Sequence, residues 1–456
     1  MKIATGIALL LAIVFFLPLS DTNAALAGLD PHKVKLGLAF FVCIAWLWMT
    51  EALPLAVTAL LVPVLGTVMM LTDVKTSLAS FAAPPIFLFF GGFALAAALS
   101  AQGLDRWIAE KLGRLGKGKF VSVSIYLFLG TALLSMWMSN TATTAMILPL
   151  ALGILNQFKT VGKKAHNAHF LLLGIAYSAS IGGLGTIVGS PPNGIAAKQL
   201  GITFSQWMAF GVPAVIVLLP AMIATLYFML KPSNAEGGEI DLPDESETFV
   251  FTAPRIITLG IFALTALSWI FSAKLGPLLG IAEADTWIAL VAVIALATAN
   301  VVSWREIESG TDWGVLFLFG GGLALSAILG SSGASLFMAR LLGAAMEPWP
   351  LWAIVAAVVG FVIFLTELSS NTATAALFVP IFYTMAKEFD LPASSLVLPL
   401  ALAASCAFML PVGTPPNAIV FGTGRIPQRT MIRVGFVLNI LFIVLISALG
   451  LVFFGK

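Results

Sequence analysis

The chain has 456 residues, of which 60% are hydrophobic and 10% are charged, and its formal net charge is +2. Because soluble domains average about 25% charged residues, this composition excludes water as the main solvent of the protein. The net charge itself carries little information, because membrane proteins place charge by side and not by total, and we expect no nucleic-acid partner.

Apolar runs that could cross a membrane recur along the chain, since a bilayer core about 30 Å thick needs roughly 20 apolar residues per helix. The first run, 4–20, resembles a signal peptide because Lys2 precedes it and small residues follow at 25–27, but we interpret it as a retained helix. The other predicted spans lie at 34–50, 52–72, 80–101, 168–200 and 209–231, and then at 254–272, 283–303, 312–330, 394–424 and 430–454.

Two further runs, 120–157 and 350–386, are too long for one span and too short for two. We predict that each is a re-entrant helical hairpin, which enters the membrane and returns to the same side. The predicted fold is therefore an all-α polytopic membrane protein with about 11 transmembrane helices and two re-entrant hairpins.

Three landmarks occur twice in the same order, about 225 to 230 residues apart, which indicates an internal duplication. They are GGFALA at 91–96 and GGLALS at 321–326, SNTAT at 139–143 and 370–374, and GSPPN at 189–193 with GTPPN at 413–417. The predicted divisions are a first helix and loop at 1–33, a first repeat at 34–231, a cytoplasmic linker at 232–253, and a second repeat at 254–456.

Parity predicts that the second repeat is inverted, because five full spans and one hairpin leave an odd number of crossings in each repeat. Positive charges around the first hairpin stand at Arg106, Lys111, Arg114, Lys117, Lys119, Lys159, Lys163 and Lys164, whereas the second hairpin has Arg340 and Lys387. By the positive-inside rule, the first hairpin opens from the cytoplasm and the second from outside. The predicted location is an inner membrane, with a cytoplasmic amino terminus and an external carboxyl terminus.

Polar motifs stand inside both hairpins and before two later helices. The tripeptides are Ser139, Asn140, Thr141 and Ser370, Asn371, Thr372, and the Pro-Pro motifs begin with the pairs Ser190, Pro191 and Thr414, Pro415. Ser, Thr and Asn favour helix N-caps, and Pro favours the first turn, so four helices should begin at these motifs. The glycine-rich run 181–185 predicts a broken helix before the first Pro-Pro motif.

Four helix starts that meet in the membrane would suit an anion, while the carbonyls freed at the breaks would suit sodium. The alternative is that these polar residues only join helices to one another. The repetition of each motif beside a proline-broken helix favours a binding site.

Glu367 is an intramembrane carboxylate, and Met136 occupies the matching place in the first repeat. Such a residue is either a structural or coupling group at the hairpin base or a site residue. The histidines lack ligand spacing, and Cys43 and Cys406 lie in apolar runs that favour packing over a disulfide or metal pair. The sequence has no Walker loop, kinase motifs or nucleophile elbow, so nothing in it suggests an ATP-driven pump or an enzyme.

The combination of two Ser-Asn-Thr hairpins with Ser-Pro-Pro-Asn and Thr-Pro-Pro-Asn resembles the divalent anion:sodium symporter family, the INDY-type dicarboxylate transporters. The segments 177–183 and 408–411 extend the resemblance, which covers nearly the whole chain. It implies a homodimer in which each protomer has a scaffold domain and a transport domain that moves like an elevator.

The resemblance also implies at least two sodium sites and a substrate site. The first sodium would be held by Ser135, Ser139, Asn140 and Gly189, and the second by Thr366, Ser370, Asn371 and Gly413. The dicarboxylate would be held by Ser139, Asn140, Thr141, Ser370, Asn371, Thr372, Thr414 and Pro415. We expect sodium-coupled uptake of succinate, malate or fumarate. A sodium-independent exchanger, a carrier of sulfate or another divalent oxyanion, and a transport-fold sensor stay open as alternatives.

Overall fold

The computed structural model describes residues 1–19, 24–157, 161–233 and 249–454, and it describes the side chains of 1–19, 25–157, 165–233 and 249–453. These residues form α-helices and short 3-10 turns, with no strand among them. By length and composition, seven described helices could cross a membrane, or up to eight if a bent pair is one span. The prediction of an all-α polytopic membrane protein is confirmed. Most of the predicted linker, together with Lys159 and the side chains of Lys163 and Lys164, lies outside the described residues.

The described helices fall into a first helix and two series. The first helix is α1 (Lys2–Phe16), and the first series is α2 (Pro31–Met49), α3 (Leu55–Val68), α4 (Val74–Ala79), α5 (Pro84–Ala101), α6 (Leu104–Arg114), α7 (Phe120–Ser135), α8 (Asn140–Asn156), α9 (Val161–Gly182), α10 (Pro191–Leu200) and α11 (Phe204–Leu230). The second series is α12 (Ala253–Ile270), α13 (Ser272–Leu279), α14 (Ala284–Thr298), α15 (Trp304–Gly310), α16 (Trp313–Ser331), α17 (Ala334–Met346), α18 (Leu351–Thr366), α19 (Asn371–Glu388), α20 (Ala393–Ala404), α21 (Pro415–Phe421) and α22 (Gln428–Phe454).

The second series repeats the first when α13 is set aside, so that α2 corresponds to α12, α3 to α14 and α11 to α22. Corresponding helices also make reciprocal contacts with the opposite series. Helix α5 packs against α14 while α16 packs against α3, and α10 packs against α19 while α21 packs against α8. Two copies related by a two-fold axis produce such an exchange. The opposite orientation of the copies in the membrane stays a prediction.

The first helix packs on α2 along its length. The Lys2 ammonium donates to the Thr50 carbonyl at 2.7 Å, and the Trp46 indole donates to the Lys2 carbonyl at 3.0 Å. A Cβ added at Gly6 would stand 3.2 Å from the Trp46 ring, so the two helices approach closely there. The retention of α1 stays a prediction.

The expected hairpins are the pairs α7–α8 and α18–α19, in which short turns join the arms. Three of the arms have 16, 17 and 16 residues, which is about 24–26 Å at a rise of 1.5 Å per residue. These arms are shorter than a bilayer core about 30 Å thick, and the re-entrant course of the hairpins stays a prediction.

Each hairpin packs against a helix that breaks off inside the protein. Helix α9 ends at Gly182, passes through a 3-10 turn, and the chain resumes as α10 at Pro191. In the second series, α20 ends at Ala404 and α21 begins at Pro415. We refer to residues 183–190 as the first break and to residues 405–414 as the second break.

Candidate functional site

The starts of α8, α10, α19 and α21 line one cavity of about 770 Å³. This volume lies within the roughly 300–1,000 Å³ typical of small-molecule sites. The expected site residues that line it are Ser139, Asn140, Thr141, Gly189, Pro191, Ser370, Asn371, Thr372, Gly413, Thr414 and Pro415. The two tripeptides, which are about 230 positions apart in the sequence, therefore meet at one place.

Serine and threonine cap three of the four helix starts. The Ser139 hydroxyl accepts from the backbone N–H of Ala142 at 3.2 Å, and Ser370 makes the corresponding bond to Ala373 at 3.5 Å. Thr414 accepts from the Asn417 N–H at 3.3 Å. The caps fix where α8, α19 and α21 begin.

Helix α10 begins at Pro191 with Ser190 at its N-cap, as predicted, but the Ser190 side chain makes no capping bond. Ser190 occupies the N-cap position, but its hydroxyl lies 3.0 Å from the Ser405 hydroxyl in the second break. The N–H that a cap would bond belongs to Asn193, and it donates to the Ser190 carbonyl at 3.1 Å. The hydroxyl thus joins the two breaks.

The four helix starts offer different groups to the cavity. Helices α8 and α19 begin with residues whose first backbone N–H groups have no partner within the helix, so these two starts can donate to an anion. Helices α10 and α21 begin with two prolines each, which have no N–H. The Pro-Pro starts therefore contribute mainly hydroxyl and carbonyl oxygens.

A cluster of oxygen atoms lies behind each tripeptide. The Ser135 hydroxyl is 2.6 Å from Asn140 Oδ1 and 2.7 Å from the Ala179 carbonyl oxygen. The second repeat has the same cluster, with Thr366, Asn371 Oδ1 and the Ala404 carbonyl at 2.6 and 2.9 Å. A hydroxyl has one proton, so it cannot donate fully to two acceptors. Such convergent oxygens are the ligands that hard cations prefer.

Gly183 packs closely against the first cluster. A Cβ added at Gly183 would stand 2.5 Å from Asn140 Oδ1 and 2.8 Å from the Gly189 carbonyl oxygen. Only a residue without a side chain therefore fits beside these two oxygens, which are expected sodium ligands. The hydroxyl, amide and carbonyl oxygens of this donor set fit sodium, although their role as ligands stays a prediction.

Asparagines of the Pro-Pro-Asn motifs hold the breaks, a role that the sequence analysis missed. Asn193 is fully buried and donates to the carbonyls of Gly183 and Thr186 at 2.8 and 2.7 Å. The corresponding bonds run from Asn417 to the carbonyls of Ala407 and Leu410 at 2.9 and 3.0 Å. Since unpaired buried carbonyls destabilise a fold, these amides stabilise the non-helical backbone at the site.

Glu367 belongs to the scaffold of the second break and is not among the described residues that line the cavity. Its carboxylate accepts from the backbone N–H groups of Phe408, Met409 and Leu410 at 2.7, 2.8 and 3.0 Å. Asn439 donates a fourth bond of 2.8 Å. Of the two roles considered for Glu367, this geometry favours the structural or coupling one.

The charged residues that line the cavity, within the described ranges, are Glu51 and Asp312. The negative charge of an anion in the cavity would consequently be balanced by helix starts, hydroxyls, amides and bound cations. The lining also includes the apolar residues Leu55, Phe89, Phe93 and Leu318.

Repeated hairpins and broken helices that meet at one internal cavity define the class of secondary membrane transporters. Residues 2–455 match the family described as the sodium:sulfate symporter transmembrane region. The chain belongs to this family of membrane transporters, which confirms the predicted resemblance and the prediction that it is not an enzyme.

Relatives and a solved structure agree with this assignment. An uncharacterized transporter of Haemophilus influenzae is 49% identical, with 99% of this chain and 97% of that protein covered. The sodium-dependent dicarboxylate transporter SdcS of Staphylococcus saprophyticus is 36% identical, over 90% of this chain and 84% of its own. The YdaH transporter of Alcanivorax borkumensis shares the fold, with a TM-score of 0.57, 14% identity, and coverage of 82% and 86% of the two chains.

Proposed function

We propose that the protein is a secondary active transporter that couples the uptake of C4-dicarboxylates, such as succinate, malate and fumarate, to sodium. The observation that carries the proposal is the meeting of two capped tripeptides and two oxygen clusters around one cavity. The name of the relative SdcS supports both the sodium dependence and the dicarboxylate substrate.

The two-fold arrangement of the tripeptides suits an anion with a carboxylate at each end. One carboxylate would accept from Ser139, Asn140 and Thr141, and the other from Ser370, Asn371 and Thr372. Thr414 and Pro415 would close the site from the second break. Hydrogen bonds from neutral donors at a helix start stabilise a carboxylate without a buried Lys or Arg.

Two sodium ions would occupy the oxygen clusters. The first would bind Ser135, Ser139, Asn140 and the carbonyl of Gly189, and the second would bind Thr366, Ser370, Asn371 and Gly413. Asn140 and Asn371 can each offer the amide oxygen to sodium and the amide hydrogens to the substrate. Substrate and cation binding would therefore depend on the same two side chains.

The energetics set the scale of the coupling. A dianion that enters a cell with a potential of about −100 mV costs about 4.6 kcal/mol, twice the single-charge figure. Two sodium ions cancel this cost, and a third would let the potential drive uptake. Measuring the charge moved per substrate gives the stoichiometry directly.

Alternating access would occur by an elevator movement within a homodimer in the inner membrane. The hairpins and breaks contribute most of the polar lining of the cavity, whereas α3, α5 and α16 contribute apolar side chains, with Glu51 before α3 and Asp312 before α16. A polar site that moves past a largely apolar surface needs few new polar partners on its path. The family resemblance supports the same movement and the dimer.

Uptake into proteoliposomes tests the proposal against its alternatives. We expect an inward sodium gradient to accumulate succinate and excess unlabelled malate or fumarate to compete. Accumulation that ignores the sodium gradient but needs internal dicarboxylate would indicate an exchanger. Competition by sulfate, with none by dicarboxylates, would indicate an oxyanion carrier, and binding without flux would indicate a sensor.

A further inference from the structure

The second hairpin turn contains a buried carboxylate where the first contains a thioether. Glu367 follows Thr366 at the end of α18, and Met136 follows Ser135 at the end of α7. Glu367 is 3% exposed. The cation clusters, otherwise alike, therefore differ in one adjacent side chain.

The partner of Glu367 differs between the repeats as well. Helices α11 and α22 have 27 residues each, and the twelfth residue is Val215 in α11 and Asn439 in α22. Both positions are buried. The polar pair Glu367 and Asn439 thus replaces the apolar pair Met136 and Val215.

The surroundings of Glu367 suit the ionised form. Glu367 Oε1 accepts from Phe408 N, Met409 N and Asn439 Nδ2, and Oε2 accepts from Leu410 N. All four partners are donors, which an ionised carboxylate satisfies, whereas a neutral acid would need an acceptor for its proton. The four donors consequently stabilise a negative charge in the hairpin turn of the second repeat.

This charge lies next to the second oxygen cluster. A Cβ added at Gly413, an expected ligand of the second sodium, would stand 3.1 Å from Glu367 Oε2. In the first repeat, a Cβ at Gly185 would stand 2.6 Å from the methyl carbon of Met136, so a neutral thioether packs against that break. Because the attraction between opposite charges grows as they approach, the second cluster attracts a cation more strongly.

We propose that the two cation sites are unequal because of Glu367. The site beside Glu367 binds sodium more tightly and fills first, and the site beside Met136 binds it more weakly and fills second. Glu367 is a positioning residue in this account, since it orders the second break and supplies charge without touching substrate. The inference rests on the proposed sodium coupling.

Thermal melting of the purified protein against sodium concentration, at constant ionic strength with choline as the replacement, tests this inference. For the wild type we expect two phases of stabilisation, because each bound ion stabilises the folded protein. Glu367→Gln should move the low-sodium phase upward by at least about tenfold in concentration, which is about 1.4 kcal/mol of binding, and leave the high-sodium phase in place. Thr366→Ala should act on the same phase, and Ser135→Ala on the other.

Two variants separate the charge from the structural role. Asn439→Val removes one hydrogen bond but keeps the charge, so it should lower the melting temperature without moving the low-sodium phase. Met136→Glu adds a charge beside the first cluster, so it should move the high-sodium phase downward, and this test does not require Glu367→Gln to fold.

The outcomes distinguish this inference from the proposed function. If Glu367→Gln lowers the melting temperature but leaves both phases at the wild-type concentrations, Glu367 only braces the break and the inference is overturned. A single sodium phase in the wild type would also overturn it while sodium coupling stands. A wild type that does not respond to sodium at all would overturn the proposed function as well.

Discussion

The Tyr177 hydroxyl donates a hydrogen bond of 2.6 Å to the carbonyl oxygen of Phe408, and it thereby ties α9 of the first series to the second break. Both residues are fully buried. Together with the contact between Ser190 and Ser405, this bond holds the two breaks in one arrangement. The geometry of the site is thus a joint property of both repeats.

Tyr177→Phe should destabilise the protein while it still inserts into the membrane. The substitution leaves the buried Phe408 carbonyl without its partner, which costs about 1–3 kcal/mol. Thermal melting in detergent measures the effect, with Tyr227→Phe as the control, since Tyr227 is 44% exposed. Equal melting temperatures for the two variants would show that this bond does not hold the breaks.

Gly183→Ala should abolish uptake without unfolding the protein. The new methyl group would stand 2.5 Å from Asn140 Oδ1 and 2.8 Å from the Gly189 carbonyl oxygen, where the first sodium is expected. Gly153→Ala in α8 is the matched control, because a Cβ there meets nothing within 4 Å. Uptake is compared after both variants are purified to the same monodispersity. Sodium-dependent uptake by Gly183→Ala at the wild-type level would remove the first sodium site from this position.

Asn193→Asp should prevent the first break from forming correctly. The Asn193 amide donates to two buried carbonyls. A carboxylate in its place has only acceptor oxygens, so both carbonyls would lose their donor. Each unpaired buried group costs about 1–3 kcal/mol, so the loss of stability should exceed that of Tyr177→Phe. Melting and size-exclusion profiles measure it, with Asn300→Asp at an exposed turn as the control. A stable Asn193→Asp protein would contradict the role given to this side chain.

The inverted orientation of the repeats predicts that turns before the two hairpins face opposite sides. Lys117 and Glu347 are exposed in these turns. In a variant with Cys43 and Cys406 replaced by alanine, a cysteine at position 347 should react with a membrane-impermeant maleimide in intact cells. A cysteine at 117 should react only after permeabilisation. Equal labelling of both in intact cells would contradict the inversion.

The helix starts could be predicted from the sequence because capping is local. Ser139 and Ser370 each precede a helix, and an N-cap is decided by the side chain and the next three residues. The duplication further showed which motifs belong together. The meeting of all four motifs around one cavity required the structure.

Other parts of the site could not be predicted, because their partners are distant in the sequence. The roles of the Ala179 and Ala404 carbonyls cannot be recognised from residue type, since every residue has a backbone carbonyl. The Ser190 hydroxyl pairs with the Ser405 hydroxyl instead of capping α10, and this pairing depends on how the two breaks pack. The donors around Glu367 likewise come from the second break and from α22.

In the proposed mechanism, Asn140 and Asn371 hold sodium and substrate together. Initial rates of sodium-gradient-driven succinate uptake by Asn140→Ala and Asn371→Ala in proteoliposomes test it most directly, with exposed Asn300→Ala as the control. We predict that each site variant inserts and folds but loses uptake by at least about tenfold, since 1.4 kcal/mol of lost binding already has that effect. Wild-type rates from both site variants would contradict the account.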